Sequence, residues 1–380
     1  MNPKLQQYYL DVVEGRRQDR QARAMAQVLW GLSKIYAVLV QGRLFLYRLG
    51  VLRRKTLGCM IVSVGNLTVG GTGKTPVVEM FSRSLLQGGR RVAILSRGYK
   101  GKRKFHLAAL WERRFHYAPG IVSDGRKVLM ESKEAGDEPT MLAKNLPGVV
   151  VLVDKNRVKS GSFAIEKMGV DTLILDDGFQ YLALGRRVDI VLVDATNPFG
   201  NEQLLPRGIL REPLRNLMRA DYVFLTKADG IDTKPILQRI RSLNPSAPVI
   251  ECQHEPKHLV ELATGSVKPL EFLRDKTLAV LTGIASPEGF EKALKAMGAK
   301  LALTNRYPDH HRFTERELNA MIKEMSRKKI EAIVTTEKDA VRFPSLEKKN
   351  VPVYYLRVEI RIRSGQRDFN DCVARLCNLV

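Results

Sequence analysis

The stretch VGNLTVGGTGKTP, Val64 to Pro76, ends as a phosphate-binding loop ends, but Thr68 stands where the pattern G-x-x-x-x-G-K-[ST] has its first glycine. An apolar run, Met60–Val64, precedes it, and a helix candidate follows. In that setting the backbone N–H groups of Thr68, Val69, Gly70, Gly71, Thr72 and Gly73 can turn toward phosphate oxygens. Lys74 can then reach the β- and γ-phosphates, and Thr75 can offer a hydroxyl to Mg²⁺. The adjacent glycines Gly70 and Gly71 are expected to supply the backbone freedom that Thr68 lacks. The competing reading is a glycine-rich turn with an incidental lysine.

Working outward, short β-branched runs alternate with helix-like segments: Met60–Val64, Arg91–Leu95, Val149–Val153, Thr172–Leu175, Ile190–Val193 and Tyr222–Leu225. Each ends in polar or glycine residues, the pattern of a mostly parallel α/β sheet with its site along the C-terminal edge. Looser extended segments occupy residues 247–267, and a second alternating set follows. This set comprises Thr277–Leu281, a helix from Pro287, Lys300–Thr304, a helix from Thr314, and Ala332–Thr335. The expected organisation is an N-terminal helical segment (1–55), a P-loop core (56–246), a ribbon-like link (247–267), a smaller α/β domain (268–365) and a C-terminal helix (366–380). Four scattered cysteines exclude a disulfide framework and a four-cysteine zinc site, and fit a reducing compartment.

Charge narrows the partners. The chain carries 63 Lys and Arg against 40 Asp and Glu, an excess that suits a polyanion, an anionic surface or simply a solvated basic face. The excess concentrates in residues 1–60 and 97–127. No RNA-binding signature or aromatic-interleaved basic run favours nucleic acid. From Ala24 to Tyr47 the chain is apolar, but Lys34 and Arg43 interrupt it, leaving no run long enough to span a bilayer. As a helix, Arg20, Gln27, Lys34, Gln41 and Arg48 form a polar stripe. Leu29, Trp30, Leu32, Ile35, Tyr36, Leu39, Val40, Leu44 and Phe45 make the rest greasy. With Arg53, Arg54 and Lys55 beside it, such a helix suits a membrane interface, or else burial against a domain.

A nucleotide loop needs a metal carboxylate, and LILDDGFQ offers Asp176 and Asp177 at a strand end, either as Mg²⁺ ligands or as a capped turn. Asp194 is a similar but weaker candidate. FLTKADG, Phe224 to Gly230, is near the guanine-reading Asn-Lys-x-Asp motif with Thr226 in place of Asn, and the glycine after Asp176 comes one position early for a GTPase switch. A membrane-docked GTPase or assembly factor is therefore the secondary reading, and a small-molecule kinase the first.

LSRGYK, GDEP, DDGFQ, GNEQLLPRGILREPL, TGIASPEGF, PDHHRF and TTEKDAVR occur in this order between Leu95 and Arg342. Together with the loop they resemble the tetraacyldisaccharide 4'-kinases, the lipid A 4'-kinases of Gram-negative bacteria. The resemblance implies transfer of the ATP γ-phosphate, with Mg²⁺, to the 4'-hydroxyl of a tetraacyldisaccharide 1-phosphate. It also implies a peripheral location on the cytoplasmic face of the inner membrane, no nucleic-acid partner and action as a monomer. Asp137 of GDEP matches the family's catalytic aspartate, and His310 of PDHH matches the histidine paired with it; His311 stays open beside it. Arg211 is implied near the nucleotide phosphates and Glu212 near the metal, against a plain surface ion pair. Lys338 and Asp339 are implied as a nucleotide contact or hinge element. Arg97 and Tyr99 lie on the edge expected to meet the acceptor. Thr68 and Lys100 are the departures from the family pattern.

Overall fold

The computed structural model describes residues 3–98, 118–284, 286–344, 346 and 351–378. Tyr99, Lys100 and most of the basic stretch 97–127 lie outside the described residues.

β1 (Met60–Asn66) is buried over all but its first residue, as a strand flanked on both sides and covered on both faces must be. It pairs in parallel with β5 (Thr172–Asp176) and β6 (Val188–Asp194). β2 (Val92–Ser96), β4 (Val150–Val153) and β7 (Tyr222–Thr226) extend this parallel core. β3 (Gly120–Asp124), which the apolar runs did not reveal, closes one edge antiparallel to β4. Helix α3 (Lys74–Gln87) leaves the loop after β1. α4 (Ser132–Ala135) and α5 (Asp137–Asn145) precede β4, and α6 (Arg157–Met168) and α7 (Lys234–Leu243) complete the connections. One face buries Val77, Phe81 and Leu85 of α3 with Leu142 of α5; the other buries Ala164 of α6 against Leu95 and Leu173.

β8 (Val249–Glu261) continues the same sheet and carries the short β9 (Val267–Lys268). The second set follows: β10 (Thr277–Thr282), α8 (Pro287–Ala296), β11 (Lys300–Arg306), α9 (Glu315–Lys328), β12 (Ala332–Thr336) and α10 (Glu337–Ala340). β13 (Val353–Ser364) then returns antiparallel to β8, from Tyr354 opposite Glu261 to Ser364 opposite Glu251. Among the described residues all strands thus form one 13-stranded sheet, β11-β10-β12-β13-β8-β7-β6-β1-β5-β2-β4-β3 with β9 beside β8. α11 (Gln366–Asn378) brings the chain end back to the first half, where Phe369 meets Phe81 edge-on at 5.8 Å.

α1 (Pro3–Val13) packs on α2 (Arg20–Arg48) through Val12, Ala22 and Leu29. The greasy surface expected of α2 is corrected at two places, since Leu29 and Leu44 are buried. Gln41, expected in the polar stripe, donates to Asn216 Oδ1 at 3.2 Å. The outward face is strongly apolar: Val38 and Leu39 are 71% and 67% exposed, with Val28, Trp30, Leu32, Ile35 and Phe45 also exposed. Among the described residues no helix is long and apolar enough to cross a membrane.

Candidate active site

The loop after β1 is held from three directions. Asn66 Nδ2 donates to the Thr68 carbonyl at 2.7 Å, and Lys74 Nζ reaches Asn66 Oδ1 at 3.3 Å. The segment before Arg211 runs alongside as a strand-like partner, Val69 N donating to Ile209 O at 2.8 Å and Arg211 N to Leu67 O at 2.7 Å. Thr68 bridges Leu210 in that pairing, so its position asks for an extended residue. The left-handed glycines are Gly70 (φ +112°) and Gly73 (φ +76°), not the adjacent pair. At Gly73 a Cβ would also come within 3.3 Å of His254 Nε2. From the end of β7, Thr226 Oγ1 donates to Thr72 O at 2.8 Å and Lys227 Nζ to Gly71 O at 2.8 Å. Lys227 also pairs with Asp194, whose other oxygen accepts from Thr196 N and Oγ1. The residues that resemble a base-reading motif thus brace the loop backbone.

Asp176 lies in register with Val64 at the foot of the loop, buried, accepting from Ser96 Oγ at 3.0 Å. Burial, then the charges of Glu138 and Asp177, push its carboxyl up to about 6, against the opposing pull of Lys74 and Ser96. Asp177 sits in the left-handed region (φ +55°), which turns its carboxylate toward Arg211 Nη1, 2.8 Å from both oxygens, and toward Lys74 Nζ at 3.7 Å. Burial raises the Asp177 pKa, but Lys74 and Arg211 outweigh it and hold the group below the usual carboxylate range. Among the described residues no three His, Cys, Asp or Glu side chains form a metal site by themselves. A cation here would therefore be shared with phosphate oxygens, which is how Mg²⁺ is usually held. Hard oxygen donors at Thr75, Asp176 and Asp177, with one carboxyl whose ionised form is disfavoured by burial and then by neighbouring negative charge, fit such an ion.

That penalty has a measurable sign. Folded Asp176 keeps a proton between its ordinary value of 3.8 and about 6, so its contribution to metal-free stability falls as pH rises through that window. Asp176→Asn is expected to stabilise the metal-free protein at pH 7.5 by on the order of 2 kcal/mol and by much less at pH 4.5. Melts in chelator at the two pH values check this. An equal difference at both would refute the charge origin.

The second cluster forms where β10–β12 face the first half. Asp137, the first residue of α5, is 9% exposed. Its Oδ2 lies 3.0 Å from His310 Nδ1 and accepts from Arg342 Nε at 2.8 Å, while Oδ1 accepts from Arg312 Nη2 at 3.3 Å. His310 is itself left-handed (φ +68°), with its N–H on Gly283 O at 3.1 Å. His311 is engaged elsewhere. Its ring stacks on Tyr307 at 4.5 Å and its Nε2 lies 3.0 Å from Glu317, the residue that closes the capping box of α9 with Thr314. Arg312 also binds Ser132, and Ser132 Oγ donates to Val341 O at 2.6 Å, so several contacts join the halves around Asp137. Asp339 is fully buried, bonded to Gly283 N, Thr336 Oγ1 and Arg342, while Lys338 Nζ lies 3.6 Å from Asp309.

Residues 25–378 match the tetraacyldisaccharide-1-P 4'-kinase family. The chain belongs to this family. A tetraacyldisaccharide 4'-kinase of Syntrophus aciditrophicus is 39% identical over 377 residues, covering 95% of each chain. One of Anaeromyxobacter dehalogenans is 45% identical over 300 residues, 78% of this chain and 76% of its own. The crystal structure of LpxK from Aquifex aeolicus in complex with ATP superposes with a TM-score of 0.73 at 30% identity, covering 93% of this chain and 99% of that one. Membership makes the chain a kinase and its fold the P-loop α/β fold, not a switch GTPase.

Within the family frame, Lys74, Asp176, Asp177 and Arg211 come together at the loop, and Asp137 and His310 in the second cluster. Glu212 is buried, and its Oε2 accepts from Asn216 at 2.8 Å and from Arg219 at 2.7 Å. Its neighbour Arg211 has its carbonyl on Tyr36 of α2 at 3.0 Å. Arg97, at the end of β2, is exposed. Sequence reasoning missed Arg312 and Arg342, and the buried set in which Arg357 of β13 bonds Glu79 of α3 and Glu337 of α10. The signal for one of them was TTEKDAVR itself, whose Asp339 and Arg342 are spaced to meet across one helical turn.

Proposed function

We propose that the chain moves the γ-phosphate of ATP to the 4'-hydroxyl of a tetraacylated glucosamine disaccharide 1-phosphate at a membrane surface. The observation that carries this reading is the meeting of His310 and Asp137, 173 residues apart in sequence, across from a loop whose lysine pairs with a strand-end aspartate. Backbone N–H groups of the loop glycines Gly70, Gly71 and Gly73 cradle the phosphates, while Val69 N and Thr72 N stay on Ile209 O and Gly70 O; Lys74 and Arg211 stabilise charge on the phosphates, and Asp137 accepts the hydroxyl proton as transfer proceeds. Oδ2 of Asp137 already accepts from Arg342 and faces His310, so Oδ1, with one long contact, is the atom turned to the acceptor. His310 orients that carboxylate. Mg²⁺, held by Thr75, Asp176 and Asp177, would offset charge on the β- and γ-oxygens. Glu212, held on Oε2 by Asn216 and Arg219, supports Arg211 from behind in this scheme. The β8–β13 ribbon is the hinge between a core and a smaller closing domain.

The deciding assay is label transfer from γ-labelled ATP, with Mg²⁺, to a detergent-dispersed tetraacyl disaccharide 1-phosphate. Labelled bisphosphate is expected with ATP and much less with GTP. Acceptor-independent GTP hydrolysis with no bisphosphate would sink the reading.

The apolar face of α2 with Arg53, Arg54 and Lys55 suits peripheral attachment to anionic lipid, since buried apolar area and basic charge add. Ile35→Asp with Leu39→Asp is expected to weaken binding to anionic vesicles at least tenfold in co-sedimentation, with turnover on micellar acceptor falling far less. Unchanged vesicle binding would show that this face does another job.

A further inference from the structure

We infer that Arg342 is a positioning residue for the phosphoryl transfer, one that fixes Asp137 and His310 in their working arrangement; the inference rests on the function proposed above. Its guanidinium is wholly buried, and its donors divide between two sides. On its own side Nη1 donates to Gly283 O at 2.9 Å and to Asp339 Oδ1 at 2.8 Å, while Asp339 Oδ2 accepts from Gly283 N at 3.0 Å and Thr336 Oγ1 at 2.8 Å. This closed set clamps the planar fork before it meets anything else. On the other side Nε donates to Asp137 Oδ2 at 2.8 Å, and Nη2 lies 3.2 Å from His310 Nδ1.

Arg342 therefore does two things that a spare cation could not. It takes one lone pair of Oδ2, which together with His310 on the same oxygen restrains the carboxylate and leaves Oδ1, 3.3 Å from Arg312, the less engaged oxygen. It also puts a donor beside His310 Nδ1 where Asp137 already puts an acceptor. A protonated Nδ1 is held by Asp137 and a bare one by Arg342, so the ring stays put in either proton state. Arg312, 36% exposed in its side chain and 3.3 Å from Oδ1, is a looser partner. Buried Asp339, balanced by Arg342, anchors the guanidinium and is too enclosed to meet a ligand itself.

The geometry of a fork, not charge alone, is what the site uses, so Arg342→Lys is the informative variant: an ammonium cannot span Asp339, Gly283 and Asp137 in one plane. It is expected to lower kcat by roughly 10²-fold, the loss that misplacing a reacting group by about 1 Å can bring, with KM for ATP and for the acceptor within about threefold. Placed on Asp137→Asn, the same change is expected to cost almost nothing more, because it acts through that carboxylate. A melting comparison accompanies the kinetics. If Arg342→Lys does not fold, Arg342→Met with Asp339→Asn removes both buried charges together and must show the same kcat loss and the same non-additivity. Wild-type transfer with Arg342→Lys retaining more than about a third of kcat, or losses that multiply in the double variant, would overturn the inference and leave the function standing. Failure of wild type to phosphorylate the acceptor would overturn both.

Discussion

Asp137→Ala is expected to reduce kcat for phosphoryl transfer by about 10³-fold, in the range typical for loss of a general base, while ATP still binds. The reason is local. A sugar hydroxyl is a weak nucleophile at neutral pH, and Asp137 is a carboxylate that starts a helix in one half of the sheet and is gripped from the other. Removing it leaves Arg312 and Arg342 facing a gap, so the loss is not relieved by a neighbouring oxygen. Asp137→Asn keeps the shape and loses the proton acceptor, and should be nearly as poor. His310→Ala should cost less, about tenfold to 10²-fold, and add little to Asp137→Ala, because the two work as a unit. Single-turnover rates with saturating ATP test this directly. Asp137→Ala turning over within tenfold of wild type would move the base elsewhere.

Lys74→Ala is expected to lower kcat/KM for ATP by on the order of 10³-fold, the scale for one preorganised charge on a transferring group. Two effects combine. Lys74 Nζ lies at the loop's inner face beside Asn66, and it also balances Asp177 at 3.7 Å, leaving that balance to Arg211 once it is gone. An added consequence is a higher proton affinity at Asp176, since Lys74 is one of the groups opposing its upward shift. The pH–rate profile of any residual activity should then rise later with pH than that of the wild type. Initial rates across ATP concentration and pH measure both. Full activity without Lys74 would reduce the glycine loop to a structural turn.

How far these residues could be read from sequence differs by element. The parallel strands were legible because a strand buried on both faces reads as a largely apolar run, as Leu173 to Leu175 does throughout and Ile61 to Val64 does apart from Ser63. β13 was not, because VYYLRVEIRIRS alternates apolar and charged residues along a ribbon that is partly exposed, and so reads as a solvated edge. β3, GIVSD, was not legible because only Ile121 and Val122 in it are apolar, so it shows no apolar run. In α2 the seven-residue polar stripe holds at Arg20, Gln27, Lys34 and Arg48, which are exposed, and Gln41 is half-buried because Asn216 supplies it a polar partner. The phosphate loop and Asp176–Asp177 carry their chemistry in contiguous residues, and spacing suffices. Asp137 and His310 meet only through the fold, so family resemblance was needed to pair them, and Arg342, though it closes TTEKDAVR, shows its part only where Asp339 and Gly283 surround it.

The long pairing of β8 with β13 makes the chain cross between the two halves of the sheet on two adjacent strands. Histidine and arginine brought to Asp137 by such a double tether arrive at high effective concentration, because the partners were never free to diffuse apart. Register shifts at Arg357/Val358 and Ile362/Ser364 locally break the regular pairing of this ribbon. A chain built this way does not search for its own second half, because continuous backbone on both strands of the ribbon already joins the two sides of the site.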